Sequence, residues 1–247
     1  DLLKEAINSS ACFEVLNEYI GFFKDKHIYL SEIKDTATEN TFQQGEPEVE
    51  AKKISSTIFY IKLSSFRYEN VEKLKMLVSQ NRKQIEKTKA LIIDVRDNYG
   101  GTDDVYQPLL PYILTNPLRI MNVAFLSTHT LINGLRDYAV KNIKTDTLNE
   151  IKNMEEGLKI YKDSLGKFVL YDGKKVTIDT IIPKKKSPSQ IIILSNHNVA
   201  SAAENFVYSA KQSKKVKIIG TPTMGALDYG SQRIFDFGCP QYELYLP

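Results

Sequence analysis

The residue whose setting most suggests chemistry is Ser201, in the stretch NHNVASAAENF over residues 196–206. It follows the apolar run QIIILS and precedes a segment with helical spacing, so it stands at a strand-to-helix turn. A serine at a helix start has its hydroxyl beside unpaired backbone N–H groups and the positive end of the helix dipole. That placement favours a developing alkoxide and oxyanion, as acyl transfer requires. The small neighbours Ala200, Ala202 and Ala203 leave room for a substrate backbone. Serine is also a good N-cap, and read alone Ser201 is first of all a helix cap.

A second stretch changes the weight of the first. In ALIIDVRDNYGG, Gly100 and Gly101 lie at the carboxyl end of an apolar strand, where α/β folds place their ligand crevice. Their N–H groups, with that of Ala202, are candidates for an oxyanion hole; a plain turn before an N-capped helix is the simpler alternative. Asp94 and Arg96 fit a partly buried structural pair. A nucleophilic serine needs a base. His27, in DKHIYL beside Asp25, has the best context of the three histidines. His129 falls in a charged segment, and His197 lies just before the serine turn as a site-lining candidate. Asp228, in the loop TPTMGALDYG, is a candidate orienting acid or substrate contact, and an exposed loop aspartate is its plainer reading.

Other chemistries lack their signatures. The sequence has no phosphate loop, no dinucleotide fingerprint after a strand, no HExxH and no G-x-S-x-G, because Val199 and Ala203 hold the outer positions of that last motif. The histidines are dispersed and Cys12 and Cys239 are far apart, so neither a metal site nor a disulfide framework is expected, and both cysteines read as core thiols. No cofactor is expected. The 247 residues carry a formal charge of +3 with 26% charged side chains, the lysines scattered among acids along helices. That is no footprint for nucleic acid. The apolar runs are strand-length, far short of a membrane span. The chain opens on the helix-patterned DLLKEAIN without a signal peptide, as would a mature protein whose export signal had been removed.

The elements that must position these residues follow from pattern. Residues 1–45 read as an N-terminal helical segment ending near Gly21 and carrying the His27 turn, with residues 32–53 a polar loop or hairpin. STIFYIKLSSF is a strong strand and ENVEKLKMLVSQNRKQIEKTK a long amphipathic helix. The strand ALIIDV, its glycine turn and a helix over DDVYQPLLPYIL complete an α/β core with crossover connections over residues 46–247. Residues 118–187 read as an insertion of charged helices and a hairpin around Asp172-Gly173. The core resumes with the strand QIIILS, the helix ASAAENFVYSAKQS and the strand KVKIIG. The final YELYLP is strand-like with no closing element, so the native chain is expected to run further.

Taken in order, these stretches resemble the C-terminal processing peptidases, the tail-specific and tricorn-core serine peptidase family. ALIIDVRDNYGG is similar to that family's LIIDLRxNxGG. IIILSNHNVASAAENFVYSAKQSKKVKIIGTPTMG is similar to its VVLVNxxSASASEIxAxALQxxxRAxxxGxxTFG. The resemblance implies a crotonase/ClpP-like α/β spiral, peptide or protein substrates, and hydrolysis of peptide bonds as a serine endopeptidase. Ser201 falls on the family nucleophile, Glu204 on the glutamate one helical turn later, and Gly100 and Gly101 on the glycine turn that builds the oxyanion hole with Ala202. Many members carry a lysine base in TFGKG; here TMGAL places Ala226 at that position. The tricorn-like branch uses a histidine from an N-terminal turn, which His27 matches, with Lys26 standing where an assisting serine would be. The helical insertion and GALDY resemble the Bacteroidetes-type branch, which implies an extracytoplasmic protein, periplasmic, secreted or a surface lipoprotein. The segment between His27 and STIFYIKL is too short for a PDZ module. A rival reading is a non-catalytic member of the same family that binds peptides or hydrophobic ligands.

Overall fold

The structure, a computed structural model, describes residues 9–25, 27–33, 48–142, 148–170, 172–184, 188–227, 233–235 and 241–246. Helix α1 (Ser9–Gly21) leads to β1 (Tyr29–Glu32), and β2 (Val49–Lys53) turns into β3 (Ile58–Leu63). Helices α2 (Asn70–Gln80) and α3 (Arg82–Lys87) precede β4 (Ala90–Asp94), and a 3-10 turn over Gln107–Leu109 runs into α4 (Leu110–Ile113). There follow β5 (Leu118–Met121), β6 (Ala124–Leu126), α5 (His129–Asn142), α6 (Leu148–Lys162), β7 (Phe168–Leu170) and β8 (Val176–Asp179). The chain closes with β9 (Gln190–Ser195), α7 (Ala202–Lys211), β10 (Val216–Gly220), β11 (Arg233–Phe235) and β12 (Tyr242–Leu246). The expected α/β class holds. None of the described helices is long and apolar enough to cross a membrane.

Two compact units divide the chain: Asp1–Asn116 with Ile181–Pro247, and Pro117–Thr180. In the first, a five-stranded sheet has the order β10-β9-β4-β3-β2, parallel throughout except for β2. The segments from β3 to β4 and from β9 to β10 each contain helix, as parallel neighbours require. Alternation along the strands sends Phe59, Ile61, Leu63, Leu91, Ile93, Ile191 and Ile193 to one buried face. Each such side chain contributes about 1.5–3 kcal/mol by leaving water. In register, Lys62 opposes Asp94, Asp94 opposes Leu194, and Ser195 opposes Gly220. The four parallel strands therefore end level, and their outgoing loops meet at one edge. The same unit holds a three-stranded antiparallel sheet, β1-β12-β11, where Tyr29 stacks on Tyr245.

The second unit pairs β5 with β8 and β6 with β7, beside α5 and α6. Its buried centre is Ile132, Tyr161 and Val169, with Phe125, Leu131 and Leu135 packed against it.

Three local expectations are sharpened or corrected. Of the loop or hairpin expected over residues 32–53, the stretch VEAKK forms a hairpin strand, β2, paired with β3. It reads as polar because it is a sheet edge, with no second apolar neighbour to satisfy. The single helix expected over residues 69–89 breaks at Asn81, whose backbone and side-chain N–H groups both donate to the Leu77 carbonyl at 3.0 and 2.9 Å. An asparagine amide that competes for helix carbonyls ends one helix and starts the next. The strands around Asp172-Gly173 do not pair with each other. Residues 118–126 supply the partner for both, with Asn122 Nδ2 donating to the Lys174 carbonyl at 2.9 Å and to Thr177 Oγ1 at 2.7 Å. The thiols of Cys12 and Cys239 lie outside the described residues.

Candidate active site

The loops leaving the carboxyl ends of β3, β4, β9 and β10 are stitched to one another, and Asn98 is the centre of the stitching. It is fully buried. Its Nδ2 donates to the Leu63 carbonyl at 2.8 Å, its Oδ1 accepts from Gly100 N–H at 2.9 Å, and its carbonyl accepts from Ala200 N–H at 3.0 Å. One residue thus ties three segments, its side chain joining the end of β3 to the glycine turn and its backbone carbonyl holding the serine turn. A second tie is polar and exposed. Asp97, at φ 63°, accepts from Asn196 Nδ2 at 2.9 Å and Asn198 Nδ2 at 2.8 Å, while its own N–H donates to Asn196 Oδ1 at 3.0 Å. These amides, Asn198 first and then Asn196, hold the Asp97 carboxyl below the usual range. On the far side, Met224 N–H donates to the Val199 carbonyl at 2.9 Å and Ser195 Oγ to the Thr221 carbonyl at 3.2 Å.

Within this frame Ser201 is half-buried at the start of α7, with φ 53° and ψ −125°. For a residue with a Cβ that backbone costs of order 1–3 kcal/mol and persists only where neighbours enforce it. It is a strained strand-to-helix turn, reached without the flanking glycines of a G-x-S-x-G motif. Gly100 lies directly against it. A Cβ placed on Gly100 would fall 2.7 Å from the Ala200 carbonyl oxygen, 2.9 Å from Ser201 Cβ and 3.0 Å from Ala202 N. Gly101 is held by Phe66, which receives Thr102 N–H at 2.7 Å and donates to the Gly100 carbonyl at 3.0 Å. Ser201, Ala202, Gly100 and Gly101 are therefore brought together. Their N–H groups differ: Gly100 spends its own on Asn98, whereas those of Gly101 and Ala202 have no hydrogen-bond partner among the described residues.

The remaining candidates fall in distinct places. Glu204 is buried at 3% exposure, with its carboxylate on the backbone N–H groups of Ser201, Gly225 and Ala226. His197 is exposed, near enough to Asp97 to help lower its pKa. His27 is buried just before β1 of the three-stranded sheet. Its N–H donates to Asp25 Oδ1 at 2.8 Å, and that oxygen lies 3.9 Å from His27 Nδ1. Asp228 lies outside the described residues. Asp94 and Arg96 are a structural pair: burial would raise the Asp94 carboxyl, but bonds from Arg96 and from the Tyr60 hydroxyl outweigh it and hold the group low. Burial and then Asp94 push Tyr60 up to about 12.

Sequence reasoning passed over Asn98, Asp97, Asn196 and Asn198. The available signal was four Asn and Asp residues on two facing turns, a residue type that bonds nearby backbone. Asn98→Ala leaves the Leu63 carbonyl and the Gly100 N–H without their partner, and a loss of about 2–4 kcal/mol is expected. Urea unfolding checks it: the midpoint should fall with the slope unchanged.

A strained serine at a helix start, packed on a glycine turn with two N–H groups that have no partner among the described residues, has the geometry that acyl transfer requires. The chain belongs to peptidase family S41, whose sequence model matches residues 57–239; His27 lies upstream of that match. The family is one of serine-type peptidases, which act on peptides or proteins. Among solved structures the chain is similar to mature CPAF, at 17% identity and a TM-score of 0.52, over 82% of this chain and 46% of that one. It is similar to a lipoprotein from Streptococcus agalactiae at 18% identity and a TM-score of 0.53, over 99% of this chain and 71% of the other. It is also similar to a putative peptidase from Parabacteroides merdae at 16% identity and a TM-score of 0.53, over 97% and 69% of the two chains. At these identities the likeness is one of fold, and this chain spans less than half the length of mature CPAF. No curated protein is a significant match.

Proposed function

We propose that this protein is a serine endopeptidase in which Ser201 is the nucleophile, His27 the general base, and the N–H groups of Gly101 and Ala202 the oxyanion hole. The observation that carries the reading is the contact of Gly100 with the strained Ser201–Ala202 backbone, beside two N–H donors that have no partner among the described residues. Gly100 shapes the hole through its missing Cβ, because its own N–H serves Asn98. Ser201 Oγ attacks the scissile carbonyl carbon as its proton passes to His27 Nε2, and the carbonyl electron pair moves onto oxygen facing the two N–H groups. Collapse of that oxyanion breaks the C–N bond, and the imidazolium protonates the departing amine. Water then attacks the acyl-serine, its proton taken by His27 and returned to Ser201 Oγ. Asp25, whose Oδ1 lies 3.9 Å from His27 Nδ1, would favour the imidazolium by its charge, and Asp228 and His197 would line the cleft. The sequence uses side chains and backbone alone.

The same reading takes residues 46–247 as a crotonase-like spiral core and the segment near 118–187 as an insertion in it. An extracytoplasmic location is in keeping with the fold shared with a streptococcal lipoprotein. The test is hydrolysis of a mixed peptide library, read by mass spectrometry. The parent should cut internal bonds. Ser201→Ala should lower kcat about a millionfold, and His27→Ala about 10²–10⁴-fold. Equal cleavage by parent and Ser201→Ala would sink the assignment.

A further inference from the structure

We propose that Glu204 is a positioning residue, whose carboxylate locks the Ser201 backbone and the Gly225–Ala226 loop in one register; this rests on Ser201 being the nucleophile. Glu204 lies in the first turn of α7 and is buried. Its Oε2 accepts from Ser201 N–H at 3.2 Å and from Ala226 N–H at 2.7 Å, and its Oε1 accepts from Gly225 N–H at 2.7 Å. Both oxygens are thereby committed to backbone donors on two separate segments.

A glutamate that reaches back to the N-cap N–H is ordinary helix capping and would account for the longest of these bonds. Capping does not account for the two shorter ones. Those come from a loop 21 and 22 residues further along the chain. Ser201 is the reason such a link is needed, since φ 53° is held only while its surroundings hold it. Ala226 supplies a backbone donor and a buried methyl, so the docking of this loop depends on Glu204 and not on a functional side chain at position 226.

The experiment measures three things in the full protein and in Glu204→Gln and Glu204→Asp. They are the concentration dependence of fluorophosphonate labelling, amide hydrogen exchange at Ser201, Gly225 and Ala226, and the thermal midpoint. A carboxamide has one acceptor oxygen and turns an N–H₂ towards a backbone donor. Glu204→Gln should therefore lose about 100-fold in the maximal labelling rate with probe affinity kept, and Gly225 and Ala226 should exchange faster. Glu204→Asp keeps the charge with a shorter reach. It should retain Ser201 protection, lose protection in the loop, and label at a rate between parent and Glu204→Gln; it carries the test if Glu204→Gln does not fold. A folded Glu204→Gln or Glu204→Asp that labels at the parent rate, or unchanged exchange at Gly225 and Ala226, overturns the proposal. A parent that takes no label overturns the Ser201 assignment itself, and the positioning role with it.

Discussion

Gly100→Ala should lower the rate of fluorophosphonate labelling about 100-fold while costing about 2–4 kcal/mol of stability. Both effects come from one methyl group. At φ 97° an alanine is already in a region that L side chains avoid. Its Cβ would lie 2.7 Å from the Ala200 carbonyl oxygen, 2.9 Å from Ser201 Cβ and 3.0 Å from Ala202 N. Two of these neighbours are backbone and cannot swing aside, so the serine turn must shift as a body. A shift of that turn moves Ser201 and the Ala202 N–H relative to Gly101, and the proposed acyl transfer tolerates little displacement of either. Gly173→Ala is the control. It also has a positive φ, of 69°, but nothing within 4 Å of its added Cβ. It should cost about 1 kcal/mol, the backbone term by itself, and leave labelling untouched. Labelling of Gly100→Ala at the parent rate would mean that the glycine turn does not shape the reacting site.

How much of this was legible in the sequence depends on which atoms do the work. The strands β3, β4 and β9 announce themselves because parallel strands buried on one face and half-covered on the other are dense in Ile, Leu and Val. The serine at a strand-to-helix turn and the paired glycines are visible for the same reason: their positions follow from elements that pattern defines. Pattern does not reach backbone donors and acceptors, which every residue carries alike. That Gly100 gives its N–H to Asn98 while Gly101 keeps its own depends on where the Asn98 amide lies, and that is fixed by the Leu63 carbonyl at the end of another strand.

Ala226 makes the point most sharply. By resemblance it marks the loss of a lysine; in the fold its backbone N–H holds the loop to Glu204. No side-chain comparison could have found that role. The polar β2 and the helix break at Asn81 were obscured by a different cause. Edge strands need no alternation, and one asparagine amide can redirect a helix carbonyl. His27 is the least legible of the candidates, since the role proposed for it rests on resemblance and it precedes the residues that match the family.

The assignment of Ser201 has the largest effect of all. In the proposed mechanism its Oγ is the atom on which every chemical step turns, and its chain neighbours Ala200, Ala202 and Ala203 carry no hydroxyl to replace it. A fluorophosphonate reports this directly, because the reagent exchanges its fluoride for the attacking oxygen and leaves a stable phosphorus–oxygen bond. It also places a phosphoryl oxygen where the carbonyl oxygen of a peptide would sit, so reaction draws on the oxyanion donors as well as on the nucleophile. The deciding measurement is reaction of the full protein with such a probe, followed by digestion and peptide mapping by mass spectrometry. A single adduct on Ser201, absent from Ser201→Ala, is the predicted result; a parent that stays unmodified, or an adduct on another residue that persists in Ser201→Ala, would contradict it.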